Sequence, residues 1–134
     1  MAKDSKPPAT GVSGVLRPNA DHEYFFQEGC FILEMLNDPA RDAQLSVARA
    51  RVRAGETTRW HRLLHTTERY LLLEGRGRVW LGTDEPRDVG PGDVVLIAPG
   101  VHQRIANTGQ EELVFLAVCT PPFREENYRD DAPD

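Results

Sequence analysis

The sequence lacks several features that would place a protein in a membrane or an oxidising compartment. It has two cysteines, Cys30 and Cys119, without a second pair at zinc-site spacing, so we expect free thiols in a reducing compartment. No apolar run is long enough to cross a bilayer, and residues 1–8 lack the apolar segment of a signal peptide. We therefore expect a cytoplasmic protein without a membrane partner.

Charge, motifs and length narrow the class further. The formal net charge is −5, so the basic surface that nucleic-acid partners normally require is not expected. The sequence motifs of dinucleotide-binding, P-loop, serine-hydrolase and zinc-protease folds are absent as well. A chain of 134 residues is large enough for one core and too small for two.

Short apolar segments separated by glycine and proline predict an all-β fold. Seven or more such strands, without a long amphipathic helix, favour an antiparallel sandwich or barrel. We predict a flexible N-terminal arm at residues 1–20, a barrel at residues 21–122 and a C-terminal surface tail at residues 123–134. The unbroken apolar run at residues 94–98 predicts a strand that is buried on both faces.

The strand predicted before residue 55 places three arginines on one face. Arg49, Arg51 and Arg53 alternate with small and apolar residues, and they cannot lie unpaired in a core. They either pair with acids on a solvated or subunit-facing surface, or one of them reaches an anionic substrate. The sequence leaves both interpretations open.

Two segments carry the residues that indicate chemistry. At residues 55–75, His61 lies on one face of a predicted strand and Glu68 begins the next, so the two side chains can converge. Imidazole and carboxylate together are common ligands of first-row metals. At residues 92–107, Gln103 lies on one face of a later predicted strand.

These segments resemble the two conserved motifs of the cupin superfamily. In the first motif, Gly55, His61, Glu68 and Gly75 match four of the five fixed positions, and Leu63 replaces the second histidine.

The second motif is also recognisable. Gly92, Gly100 and Asn107 are in register, the proline is displaced by one place to Pro99, and Gln103 replaces the histidine. The resemblance extends to small single-domain bacterial cupins of unassigned reaction. It implies a double-stranded β-helix, or jelly-roll, barrel.

The resemblance also implies a divalent transition metal: Fe, Mn, Ni, Zn or Co. The family's ligand positions map to His61, Glu68 and Gln103. His65 lies in the turn before Glu68 and could replace the missing second histidine. His102 is one residue out of register, which directs a strand side chain to the opposite face, so we do not expect it to be a ligand.

Two further residues are candidates for catalysis. Arg59 shares the predicted face of His61, so inside a barrel it would need Glu34, Glu68 or an anionic substrate as its partner. Tyr70 lies two residues past Glu68 on the same face. It could donate a proton or orient a group at the site, or simply form part of the wall.

Three classes of function follow from this sequence. The first is a metalloenzyme that acts on a small polar or anionic metabolite by dioxygenase-, isomerase- or lyase-type chemistry. The alternative is a metal-free barrel that binds or senses a small ligand without catalysis, and a structural or storage role is the third. The resemblance further implies a homodimer, with Trp60 and the arginine face as its candidate interface.

Overall fold

The computed structural model describes residues 11–133, so part of the predicted N-terminal arm, residues 1–10, lies outside the described residues. Residues 11–19 form neither helix nor strand, and the Val12 N–H donates to the Arg41 carbonyl at 2.8 Å. A short 3₁₀ helix, Ala20–His22, follows, and the side chain of Asn19 caps its first turn. This segment leads directly into the first strand.

Eleven strands lie within the described residues. A second short 3₁₀ helix, Glu125–Asn127, precedes the last of them, and no helix in residues 11–133 is long and apolar enough to cross a membrane. The strands are β1 (Tyr24–Phe26), β2 (Cys30–Leu36), β3 (Ser46–Val52), β4 (His61–Leu63), β5 (Thr67–Glu74), β6 (Gly77–Leu81), β7 (Arg87–Val89), β8 (Val94–Ile97), β9 (Gln103–Asn107), β10 (Leu113–Thr120) and β11 (Tyr128–Asp130).

The strands form two antiparallel sheets that enclose the core. The six-stranded sheet has the order β1-β2-β3-β10-β5-β8, and the five-stranded sheet has the order β11-β4-β9-β6-β7. Consecutive strands such as β4 and β5 belong to different sheets, so the chain crosses repeatedly between them. The predicted all-β, double-stranded β-helix barrel is confirmed.

The interior is divided along the strands into two parts that differ in packing. One part, which we call the filled half, is a continuous apolar cluster of Cys30, Ala50, Val52, Tyr70, Leu72, Val79, Val95, Ile97, Ile105, Leu113 and Phe115. The other part, the open half, has a smaller cluster of Phe26, Leu63, Cys119 and Tyr128. The candidate site lies in the open half.

The three arginines, Arg49 and Arg51 on β3 and Arg53 just after it, pair with carboxylates on the outer face of the six-stranded sheet. Arg51 Nε donates to Glu23 Oε2 at 2.8 Å, and Arg49 Nη2 approaches the same oxygen at 3.4 Å. Arg53 lies 3.9 Å from Glu56. The structure therefore favours the ion-pair interpretation of this face over contact with a substrate.

Strand β8 corrects one prediction. Val95 and Ile97 are buried, but Val94 and Leu96 are 64% and 65% exposed, so the strand is buried on one face only. The prediction of two buried faces was wrong because β8 is the last strand of its sheet, with its outer face uncovered. An apolar run alone does not distinguish these two environments.

Part of the predicted C-terminal tail joins the barrel. Strand β11 pairs antiparallel with β4 and places Tyr128 beside Leu63. Tyr128 is buried, and the rings of Phe123 and Phe26 pack edge to face with centroids 6.0 Å apart. Phe123 and Tyr128, the aromatic residues of this otherwise polar segment, thus cover the open half of the interior.

Candidate functional site

A cavity lies in the open half, between the two sheets. Its volume is about 40 Å³, so in this conformation it admits water or a small ligand. Its polar walls come from Glu28, Glu34, Ser46, His61 and Glu68, and its aromatic walls from Tyr24, Phe26 and Phe123. A larger hollow of about 810 Å³ beside β7 and β8 contains none of the predicted site residues.

His61 is held in a defined orientation at the start of β4. Its side chain is buried, and Nδ1 lies 2.6 Å from the carbonyl of Arg59. Because a carbonyl only accepts, Nδ1 carries the proton, and in the neutral ring Nε2 keeps a lone pair. Nε2 lies 3.6 Å from Glu28 Oε2, beyond hydrogen-bond distance. The ring of Tyr128 stacks on the imidazole, with the two ring centroids 5.2 Å apart, and restricts the orientation of the imidazole.

Glu68 lies at the start of β5 and faces the same cavity as His61. Gln103 Nε2 donates to its Oε1 at 2.8 Å, and Cys119 Sγ lies 3.8 Å from its Oε2. Burial, and next the negative charge of Glu28, raise the pKa of Glu68 from 4.5 to about 7. The carboxyl group therefore changes its protonation state near neutral pH.

Tyr70 and Gln103 support Glu68 from behind the cavity. The Tyr70 hydroxyl donates to Gln103 Oε1, and the amide nitrogen of Gln103 donates to Glu68. Tyr70 is buried against Phe115, and burial raises the pKa of its phenol well above the usual value. Tyr70 thus reaches the site through Gln103 and does not line the cavity.

Besides Tyr70 and Gln103, which lie behind the cavity, two predicted site residues lie away from it. His65 is exposed, at φ 66° in the turn after β4. Arg59 Nε donates to Asp130 Oδ2 at 2.7 Å, and the Arg59 side chain is 39% exposed. Both residues lie just outside the three-residue strand β4, so strand alternation does not govern their side chains.

Two carboxylates of the cavity were not among the predicted site residues. Glu28 lies in the turn between β1 and β2, and Glu34 lies on β2, where Tyr24 Oη donates to its Oε1 at 3.3 Å. Burial raises the pKa of Glu34. In the sequence, Glu28 is marked only by its place before Gly29, a turn glycine that has φ 102° in the structure. A residue in a turn follows no alternation, so the sequence does not show which way the Glu28 side chain points.

The donor set does not fit a transition metal in this arrangement. Within residues 11–133, no group of three or more His, Cys, Asp or Glu side chains is placed to hold a metal ion. Gln103 directs its NH₂ group at Glu68, and Leu63 offers only carbon. Of the four predicted ligands, His61 and Glu68 line the cavity, whereas Gln103 and His65 do not.

The family model of the cupin domain matches residues 48–119, which include His61, Glu68 and Gln103. The chain belongs to the cupin family. It is also 32% identical over 105 residues to an uncharacterized protein of Methanocaldococcus jannaschii. The aligned residues cover 78% of this chain and 83% of that protein. The resemblance predicted from the two motifs is confirmed.

Solved structures share the fold of this cupin. Pac13, a nucleoside dehydratase from Streptomyces, matches with a TM-score of 0.71 at 16% identity and covers 89% of this chain and 92% of its own. An oxalate decarboxylase from Lactobacillus farciminis matches with a TM-score of 0.68 at 20% identity over 87% of this chain, which corresponds to 33% of the decarboxylase. At these identities the likeness shows the fold.

Proposed function

We propose that this cupin is an enzyme that transfers a proton on a small polar metabolite, in isomerase- or lyase-type chemistry, with His61 as the base. The observation that carries the proposal is the geometry of His61. Its Nδ1 is held by a backbone carbonyl, while Nε2 faces the cavity without a hydrogen bond. A buried imidazole with one committed and one available nitrogen is suited to general base catalysis.

The surroundings of His61 favour this role. Removal of a proton from substrate carbon leaves the ring as an imidazolium, and Glu28 Oε2, 3.6 Å from Nε2, stabilises that positive charge. Stacking on Tyr128 and the bond to the Arg59 carbonyl prevent the ring from turning away. The base is thus fixed before the substrate arrives.

Glu68 supplies the matching acid. With its pKa raised to about 7, the carboxyl group retains its proton in a substantial fraction of molecules at neutral pH. As His61 takes a proton from carbon, Glu68 can protonate a leaving hydroxyl, which departs as water, or a second carbon of the substrate. The first outcome is a lyase reaction and the second an isomerase reaction.

The comparisons support the class of reaction but not a substrate. A nucleoside dehydratase has the same fold, and a dehydratase is a lyase. The metal-dependent reaction predicted from the family depends on ligands that do not converge in this arrangement. The metal-free binding barrel uses the same cavity, and a catalytic assay distinguishes it from the proposed enzyme.

The first experiment is a proton-exchange assay in D₂O. The chain is incubated with a panel of small hydroxylated carbonyl compounds and amino compounds, and proton NMR follows the loss of carbon-bound protons. We expect His61→Gln to slow exchange by about 10²–10⁴-fold. His102→Gln is the matched control, because His102 stacks on Trp60 away from the cavity and its loss leaves the rate unchanged.

Equal rates in the wild type and His61→Gln would exclude His61 as the base. The same preparations are analysed for metal by mass spectrometry, after incubation with Fe, Mn, Ni, Zn and Co. One bound metal per chain, lost in His61→Ala, would replace this proposal with the metalloenzyme. Exchange in no compound by any preparation would favour the binding barrel.

We also propose that the protein is cytoplasmic and forms a homodimer, both of which stay predictions. The predicted interface residue Trp60 is half-buried within one subunit, where it stacks on His102 with centroids 5.3 Å apart. The arginine face is likewise occupied by intramolecular ion pairs. Any interface there would have to add to these contacts.

A further inference from the structure

The charge of the cavity narrows the class of substrate. We infer that the cavity takes a small organic cation, an alkylammonium group, and not the anionic metabolite that a guanidinium at Arg59 would recognise. This inference rests on the proposed function, because it concerns the same cavity as the proposed active site. Three observations carry it: the charge of the walls, the hydrogen-bonding capacity of the polar atoms, and the aromatic faces.

The first observation is an excess of carboxylates. Glu28, Glu34 and Glu68 all line the cavity, and no lysine or arginine does so within residues 11–133. The nearby Arg59 directs its Nε to Asp130 at the surface. An anion that entered would meet negative charge at low dielectric without a counter-charge, whereas a cation would be attracted by it.

The second observation is independent of the acids. His61 is 1% exposed, lines the cavity and has no hydrogen bond at Nε2. With Nδ1 protonated, Nε2 of the neutral ring is an acceptor, as are the ionised carboxylates. The Tyr24 hydroxyl, which could donate to a ligand, already donates to Glu34. Apart from the Ser46 hydroxyl, which accepts from the Phe123 N–H, and the protonated fraction of Glu68, these polar groups accept, so the cavity favours a ligand that brings donors, as an ammonium group does.

The third observation is the arrangement of rings. The ring centroid of Phe26 lies 6.3 Å from that of Tyr24 and 6.0 Å from that of Phe123, and the angles between the ring planes are 80° and 87°. All three line the cavity, so it is walled by rings set at steep angles to one another. Aromatic faces attract the alkyl groups and the charge of an ammonium ion together. Rings alone would also accept a neutral ligand, so the dependence on charge is the decisive test.

The test uses three ligands of the same length: propylammonium, 1-propanol and propionate. Each is titrated into the full-length chain, and binding is followed by calorimetry and by the NMR signals of the His61 ring. We expect propylammonium to bind at least about tenfold more tightly than 1-propanol. Propionate is expected to bind most weakly because of the three carboxylates.

Variants locate the preference. Glutamine has nearly the same shape as glutamate, and Glu34 takes no part in the proposed proton transfer by His61 and Glu68. We therefore expect Glu34→Gln to lower the affinity for propylammonium and to leave the affinity for 1-propanol unchanged. Glu126→Gln, an exposed carboxylate outside the cavity, is the control and leaves both affinities unchanged. Circular dichroism confirms that each variant is folded.

The inference is overturned if 1-propanol or propionate binds as tightly as propylammonium, if none of the three binds, or if Glu34→Gln leaves the preference intact. Its failure is separable from that of the proposed function. Selective binding of propylammonium without proton exchange in any compound would sink the proposed reaction alone. Exchange that depends on His61, without any preference for cations, would sink this inference alone.

Discussion

The filled half and the open half share strands β2, β3, β5 and β10, yet these strands place different residues in each half. Strand β5 contributes Leu72 to the filled half and Glu68 to the open half, and β10 contributes Phe115 to one and Cys119 to the other. The filled half buries apolar surface and stabilises the fold. The open half buries a carboxyl group and an imidazole, which cost stability and are the groups that the proposed reaction uses. One barrel thus separates the two demands along its length.

The largest expected difference between the halves is the cost of removing a ring. Phe115→Ala should lower the free energy of unfolding by about 3–5 kcal/mol, because Phe115 is fully buried in the filled half. Phe123→Ala should cost only about 1 kcal/mol, because Phe123 is half-buried at the cavity. Urea denaturation measures both values. Equal losses would contradict the division of the interior.

The second difference is a pH dependence that originates in the open half. Burial raises the pKa of Glu68 from 4.5 to about 7, so the folded state holds this proton more tightly than the unfolded state. Its contribution is therefore fully present below pH 4.5 and is lost as the pH rises to about 7. The free energy of unfolding should fall over this interval by about 3 kcal/mol more in the wild type than in Glu68→Gln.

Urea denaturation at a series of pH values from 4.5 to 8 tests this prediction, with Glu126→Gln as the control. Glu126 is exposed, so its variant should follow the wild type throughout. Parallel curves for the wild type and Glu68→Gln would show that Glu68 carries no such proton. The open half would then not contribute a pH dependence to the free energy of unfolding.

The smallest expected effect is at His65. Asparagine tolerates the left-handed conformation that His65 adopts at φ 66°, so His65→Asn should change the free energy of unfolding by no more than about 0.5 kcal/mol. Because His65 is exposed outside the cavity, proton exchange should also be unaffected. Loss of activity, or of a bound metal, in this variant would restore His65 to the site.

The sequence predicted the barrel and the convergence of His61 with Glu68, because glycine and proline mark the turns and strand alternation is regular within a strand. The alternation was less informative at Arg59, and it does not apply to His65, which was predicted to lie in a turn. Both lie next to β4, which is only three residues long, and the pattern does not show where a strand begins or ends.

Other features depend on the tertiary arrangement. Glu28 reaches the cavity from a turn, and no periodic pattern assigns a direction to a turn residue. The exposure of Val94 depends on the outer face of the six-stranded sheet being uncovered at β8, which the apolar run itself does not reveal. Gln103 was placed correctly in the interior, since it shares a strand face with Ile105.

The pairing of β11 with β4 determines when the site is complete during synthesis. His61 and Glu68 are made well before Tyr128, whose ring stacks on His61 and whose strand covers β4. Until residues 123–130 have been made and packed, the imidazole has no ring against it and the cavity has no Phe123 wall. The site is therefore assembled late, and the proposed activity would appear only once β11 has paired with β4.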